Sequence, residues 1–249
     1  MSPVEVSTII FFIIFGGAML GVWLRGILPS NQLDAETKDL VKLRVGLIGT
    51  MAALLLGLLV ASAKSSYDAR STELTQMAAN IILLDRALVH YGPATGEIRG
   101  ILKIAIGRMI DQVWSKAPNE GVLPSQAGGE VVYDKIQELV PRSDAQRAIQ
   151  SQAESIAINY GQARLLLFAQ SGSSISKPFL VVVVFWLSML FVSFGLFAPR
   201  NATAMVTLLV AAISVAGALF LILELDHPFS GLIQISSVPL RNAISVLGR

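Results

Sequence analysis

The sequence predicts an all-α membrane protein with four transmembrane helices in a 2+2 arrangement and a long helical extramembrane segment between the second and third. Of its 249 residues, 53% are hydrophobic and only 14% are charged, whereas soluble domains carry about a quarter charged residues. The apolar residues are concentrated in residues 6–24, 45–63, 179–197 and 204–225, each near the ~20 residues that cross a bilayer. Between the two pairs of spans, apolar residues recur at helical rather than strand spacing.

Composition also excludes several function classes. The chain has no cysteine and only two histidines, so a disulfide framework, a thiolate nucleophile and a cysteine-ligated metal are excluded. The histidines are far apart and outside metal-ligand spacings. A net charge of +2 spread along the chain offers no support for nucleic-acid binding. We therefore expect no enzyme, no cofactor and no nucleic-acid partner; the expected partner is the lipid bilayer.

The first span contains a pair of glycines at a spacing that allows close helix approach. Nothing basic precedes this span, and its apolar run exceeds that of a signal peptide, so we expect it to be retained. Gly17 and Gly21 form a small-xxx-small pair. We expect this face to pack within the chain, and self-association through it is the alternative.

The second span is rich in small residues along one face. Asp34 is the expected N-cap of a helix that runs on into this span. Ala53, Gly57 and Ala61 recur every four residues and share one face. That face predicts a contact surface, either for a neighbouring helix or for a pore with thin walls.

Residues 64–177 separate the two pairs of spans and predict helices that pack through apolar seams. We expect two long helices that leave the membrane, shorter helices near 97–114 and 131–140, and a mobile loop at 117–129. The predicted division of the chain is therefore 1–63, 64–177 and 178–249. The seams comprise Leu74, Met77, Ile81, Leu84 and Leu88, followed by Ile149, Ala153, Ile156, Tyr160, Ala163 and Leu167.

The last two spans predict an antiparallel hairpin, because only residues 198–202 separate them. Pro178 opens the third span, where a first helical turn tolerates proline. The tail after Gly231 carries apolar residues at i, i+3, i+4 and i+7. We expect it to belong with the second pair of spans and to form a short helix lying in the membrane interface.

Glu224, Asp226 and His227 end the fourth span and are the sharpest polar signal. Because Pro228 pushes the preceding residue out of the helical region, the helix must end by about His227. Asp226 then accepts backbone N–H groups of the next turn, or the acids pair with a basic group such as Arg241 or one from another subunit. Cation attraction at a pore mouth is the third interpretation.

Asp85, Arg86 and His90 form a second polar group. Arg86 and His90 are one turn apart on the predicted helix. The simpler interpretation is a polar helix face that ends at Gly92. The alternative is a surface for gating or for contact with a partner.

Four blocks carry a family resemblance over nearly the whole chain: LLGLLVASAKSSYD at 55–68, NIILLDRALVHYGP at 80–93, FWLSMLFVSFGLFAPRN at 185–201 and LILELDHPFSGLIQISSVPLR at 221–241. They resemble the bacterial bestrophin-like integral membrane family, whose distant relatives, the bestrophins, are oligomeric ion channels with four membrane segments. The resemblance implies a homo-oligomeric ion channel or channel-like protein in the bacterial cytoplasmic membrane. The alternative is a non-conducting scaffold or sensor whose helical segment binds a partner.

The sequence departs from the bestrophin pattern at two places. Bestrophin channels have an aromatic and aliphatic neck in span two and an acidic calcium clasp after span four, whereas this second span is rich in small residues and no acid follows Asp226. Calcium gating and anion selectivity are therefore not implied. Two observations on sidedness disagree. The short connectors hold five Lys or Arg against two in the tail, which places both termini outside. The resemblance instead implies cytoplasmic termini, so the sidedness stays open.

Overall fold

The structure is a computed structural model that describes residues 2–28, 35–114, 127–169 and 177–247. Within these ranges the regular structure is helical, and no strand occurs. The expected N-cap at Asp34 and most of the expected loop at 117–129 lie outside the described residues. The helices are α1 (Pro3–Ile27), α2 (Ala35–Tyr91), α3 (Gly96–Val113), α4 (Ala127–Gln137), α5 (Asp144–Ala169), α6 (Lys177–Phe197), α7 (Ala202–Leu225) and α8 (Val238–Val246).

The chain divides into two compact units. One comprises residues 1–66 and 173–227, and the other comprises residues 67–172 and 228–249. The long helix α2 contributes its first part to one unit and its second part to the other. This division differs from the predicted one at the C-terminus, because residues 228–249 belong with the middle segment rather than with the last two spans.

The first unit contains four helices long and apolar enough to cross a membrane. They are α1, the apolar part of α2, α6 and α7, and they include the four expected stretches. Within this unit α1 packs along α6 and α7. The core between them is formed by small and branched side chains such as Ile14, Ala18, Val183 and Ala212, all fully buried.

Side-chain caps define where two of these helices begin. Ser2 and Glu5 form a capping box at α1, in which the Glu5 amide donates to Ser2 Oγ and the Ser2 amide donates to Glu5 Oε2. Asn201 Oδ1 accepts the Ala204 amide at 2.9 Å at the start of α7. Each cap satisfies an amide that has no partner within its helix, which sets the boundary.

The second unit is a helical bundle built from the end of α2, α3, α4, α5 and α8. All five residues of the predicted α2 seam are buried, which confirms that prediction. On α5, Ala153, Tyr160 and Leu167 are buried and the other three seam residues are partly buried against the same core. The helical spacing of apolar residues thus identified both faces that form this core.

A tight turn separates α2 from α3 at the predicted break. Gly92 has φ of +123°, a conformation that side-chain-bearing residues rarely adopt. A short 3₁₀ helix, Pro93–Thr95, follows. Thr95 is buried, and its hydroxyl donates to the carbonyl of Leu88 at 2.6 Å. This bond closes the C-terminal turn of α2 and starts α3 in a new direction.

The C-terminal tail packs on the protein through its apolar side. Leu240 and Ala243 of α8 are fully buried in the core of the second unit, and α8 contacts α3. Trp114 Nε1 donates to the Ile235 carbonyl at 2.8 Å, and its ring meets Phe229 edge-on with centroids 5.5 Å apart. An amphipathic pattern requires only that the apolar face be covered, and here protein covers it.

Candidate functional site

The end of α7 is held by hydrogen bonds to its last free carbonyl groups. The Asp226 amide donates to the Ile222 carbonyl at 3.2 Å, and the His227 amide donates to the Glu224 carbonyl at 3.1 Å. His227 Nδ1 lies 2.9 Å from the Leu223 carbonyl oxygen and donates to it. The helix therefore ends where the following proline requires it to end.

Glu224 and Asp226 are both buried in the chain. Their exposed fractions are 1% and 3%, and each makes a polar or electrostatic interaction. Burying a carboxylate is costly unless it is paired or hydrogen-bonded, so the chain must compensate both. This burial favours a structural role in the single chain over an open, hydrated position.

The glycine pair of α1 lies against α6. A methyl group at Gly17 would stand 3.2 Å from the Ser188 carbonyl oxygen, and one at Gly21 would stand 2.7 Å from the Leu196 amide nitrogen. From the other side, a methyl group at Gly195 would stand 2.9 Å from the Ala18 carbonyl carbon. Glycine on both helices therefore lets the two backbones touch. Gly195 was missed in the sequence because it lies in a span dominated by aromatic residues.

Two arginines fasten the end of α1 to the link between α6 and α7. The Arg25 guanidinium donates to the Ala198 carbonyl, and Arg200 Nη2 donates to the Val22 carbonyl at 3.3 Å. The side chain of Arg200 also packs over Gly26. In the sequence these arginines were notable only as charges that bear on orientation, although a cation near a helix C-terminus can also cap the last carbonyl groups.

The small-residue face of α2 is exposed in the single chain. Ala53, Gly57 and Ala61 are all exposed, and a methyl group at Gly57 would meet nothing within 4 Å. The opposite face, with Ala52 and Ala63, is buried in the core of the first unit. Of the most apolar 18-residue stretch of α2, 11% is buried, against 28–33% in α1, α6 and α7. This helix thus has the largest uncovered surface of the four.

A groove opens between the start of α2 and the end of α6. Its volume is about 490 Å³. Its walls are mostly apolar, and Lys42 is the charged residue among them. A smaller cleft of about 330 Å³ lies at the start of α7. Both are in the first unit, near the ends of the spans.

Asp85, Arg86 and His90 do not come together in the structure. Asp85 is buried and forms a two-point ion pair with Arg99 of α3, with Nε–Oδ1 at 2.6 Å and Nη2–Oδ2 at 3.3 Å. Arg86 and His90 are exposed. The hydrogen bond to Asp85 raises the pKa of the Arg99 guanidinium above its ordinary value, against the opposing effect of burial. Arg99 was not identified from the sequence, because only the turn at Gly92 brings it to Asp85.

No cluster of three or more metal-ligating side chains occurs in the residues that the structure describes. The functional candidates are therefore surfaces and buried polar groups rather than a reaction centre.

Comparison with known proteins identifies relatives for this architecture. A family model described as the bestrophin-like domain matches residues 12–240. Two solved structures of a bacterial bestrophin homologue from Klebsiella pneumoniae, each with a single substitution, are 14% identical to this chain, with TM-scores of 0.58 and 0.57. They cover 95% and 96% of this chain, which covers 99% of each of theirs. No curated protein matches the sequence significantly. The matched family model and the four apolar helices together indicate an integral membrane protein.

Proposed function

We propose that this chain, which belongs to the bestrophin-like family, is an ion channel or channel-like protein. In this proposal, several copies of the chain assemble in the bacterial cytoplasmic membrane. The family relation and the shared fold support a channel-like membrane protein. The observation that carries the proposal is one surface of the first unit.

That surface is the exposed small-residue face of α2. In lipid, large side chains such as Leu54 and Leu58 meet the acyl chains well, whereas small residues favour close contact with another helix. Ala53, Gly57 and Ala61 are exposed in the single chain, and a methyl group at Gly57 would meet nothing within 4 Å. Copies of α2 packed through this face around an axis would enclose a pathway with thin walls.

The buried acids have a secondary place in this proposal. Glu224 and Asp226 are covered in the single chain, which favours a structural role; an effect on permeation would come through the electrostatic field near the end of α7 rather than from an exposed ring. Neutralising both with Glu224→Gln and Asp226→Asn is expected to change cation over anion selectivity. If the cation flux and the anion flux are both unchanged in the double variant, the acids are not part of the permeation pathway.

The proposed α2 packing can be tested by cross-linking, because the chain contains no cysteine. Gly57→Cys is expected to form disulfide-linked dimers in native membranes upon mild oxidation. Leu58→Cys is the matched control: it is the next residue on the same helix, is also exposed, and faces about 100° away. Equal cross-linking of the two variants contradicts packing through the small-residue face.

Ion flux distinguishes a channel from the scaffold alternative. The full-length protein in liposomes is expected to pass ions, and Gly57→Leu, which adds bulk to the small-residue face, is expected to reduce the flux at least several-fold. An assembly that cross-links through Gly57→Cys but passes no ion supports a non-conducting scaffold. In that case the exposed face of α2 in the second unit that carries Arg86 and His90 becomes the first surface to test for partner binding.

A further inference from the structure

The groove between α2 and α6 has the size of a ligand-binding site. Its volume of about 490 Å³ lies within the roughly 300–1,000 Å³ of typical small-molecule sites. It belongs to helices that are apolar enough to span a membrane. The apolar wall residues include Val45, Gly46, Gly49, Leu190, Phe194 and Phe197.

Two glycines create the space in this groove. A methyl group at Gly46 would meet nothing within 4 Å, and one at Gly49 would stand 3.8 Å from Leu190 Cδ2. On the α6 side, the ring of Phe194 is about half exposed. The apolar walls of this groove match an acyl chain, whereas a water-soluble ligand would make no favourable contacts with them.

Positive charge is concentrated at the end of the groove. The wall includes Lys42, which is exposed, and Ala198, whose carbonyl accepts a hydrogen bond from the Arg25 guanidinium. Arg200 lies beside the same end of α1. Among the described side chains at this end of the unit, Asp39 is the one acid. It lies 3.4 Å from Lys42, but the pair is 61% and 76% exposed and therefore holds Lys42 only weakly.

We propose that this groove binds one anionic phospholipid per chain. An acyl chain lies between α2 and α6 against Gly46 and Phe194, and the phosphate group lies near Lys42 and the end of α1. Basic pockets between transmembrane helices have the chemistry that recognises anionic headgroups. The combination of an apolar groove with cations at one end selects a phospholipid over either a free phosphate or an uncharged lipid.

Lipid titration followed by native mass spectrometry tests this proposal on the full-length protein in detergent. Phosphatidylglycerol and phosphatidylcholine with identical acyl chains are the two probes. We expect one phosphatidylglycerol per chain, bound at least fivefold more tightly than phosphatidylcholine. Lys42→Gln is expected to weaken phosphatidylglycerol about fivefold, the factor that corresponds to about 1 kcal/mol per cation near an anionic headgroup. It is expected to weaken phosphatidylcholine less, because the choline group of that lipid already offsets the charge of its phosphate.

Matched variants distinguish lipid binding in the groove from non-specific electrostatic or apolar attraction of lipid to the protein. Arg44→Gln removes an exposed charge two residues from Lys42 on another face of α2 and is expected to leave phosphatidylglycerol binding unchanged. Gly46→Leu fills the groove and is expected to abolish binding of both lipids. Thr50→Leu adds apolar bulk one turn away at an exposed position outside the groove and is expected to have no effect.

Three results would overturn the proposal. Equal binding of the two lipids means that only ordinary bilayer contact occurs there. Equal weakening by Lys42→Gln and Arg44→Gln means that the headgroup responds to total charge rather than to a site. A change in the number of assembled chains in Gly46→Leu, with lipid binding intact, means that the groove is an interface between copies.

Discussion

Substituting alanine for single glycines of α1 gives a graded test of its contact with α6. A methyl group at Gly21 would stand 2.7 Å from the Leu196 amide nitrogen, one at Gly17 would stand 3.2 Å from the Ser188 carbonyl oxygen, and one at Gly16 would meet nothing within 4 Å. These three positions lie on the same helix within six residues. The background sequence and the membrane environment are therefore the same for all three.

Two opposing effects determine the size of each change. Alanine gains up to about 1 kcal/mol over glycine in helix propensity, whereas forcing a methyl group into a packed contact costs about 1–3 kcal/mol. At Gly21 the obstructing atoms are backbone atoms of α6, which move only if the whole helix moves. We therefore expect Gly21→Ala to lower the free energy of unfolding by about 2 kcal/mol. Gly17→Ala should be near neutral, and Gly16→Ala should stabilise by about 0.5 kcal/mol.

Unfolding in mixed micelles with increasing denaturing detergent, followed by helical circular dichroism, measures these differences. Gly195→Ala, on the α6 side of the same contact, is expected to behave like Gly21→Ala. The double variant is expected to lose less than the sum of the two single losses, because helices already moved apart accommodate the second methyl group. Equal stabilities of Gly21→Ala and Gly16→Ala would refute the close approach of α1 and α6.

Two further predictions concern the second unit. Asp85→Asn is expected to lower the free energy of unfolding by about 2–3 kcal/mol, because Arg99 loses a buried, charge-assisted partner. Asp144→Asn removes an ion pair whose side chains are 70% and 99% exposed and should leave the melting temperature unchanged; similar melting of the two variants would contradict the role given to Asp85. Burial raises the pKa of the Tyr160 phenol above its ordinary value near 10, and the charge of Arg164 partly offsets this effect. The contribution of the neutral phenol to stability is therefore complete below about pH 10 and is lost as pH rises through the raised pKa. Its hydroxyl has no hydrogen-bond partner among the described residues, and Tyr160→Phe should therefore preserve stability at pH 7 and reduce the loss above pH 10, as thermal melting across pH 7–11.5 would show.

Helical periodicity predicted the core of the second unit well. Leu74, Ile81 and Leu88 were identified by spacing alone, and all are buried. Burial follows directly from spacing in a helix, since residues three and four apart lie on the same face. The four spans followed for a similar reason, because the required length and apolarity are properties of the segment itself.

Partners across the fold were not predictable in the same way. Asp85 was recognised as notable, but Arg99 was not, because their pairing depends on the direction in which α3 leaves the turn at Gly92. The apolar face of the tail was recognised, but the hydrogen bond that Ile235 accepts from Trp114, 121 residues earlier, was not. A sequence pattern shows that a face is apolar but does not show what covers it.

The sequence by itself determined the membrane class, the four apolar helices, the helix seams and the family, because each depends on local composition, spacing or motifs. Only the tertiary structure decided that Gly21 lies against α6, the helix that carries Gly195. It also decided that the acids at the end of α7 are buried and that Ala53 and Gly57 are exposed. These outcomes depend on which faces meet in three dimensions. The exposed face of α2 and the groove beside Lys42 are consequently the places where function can now be tested.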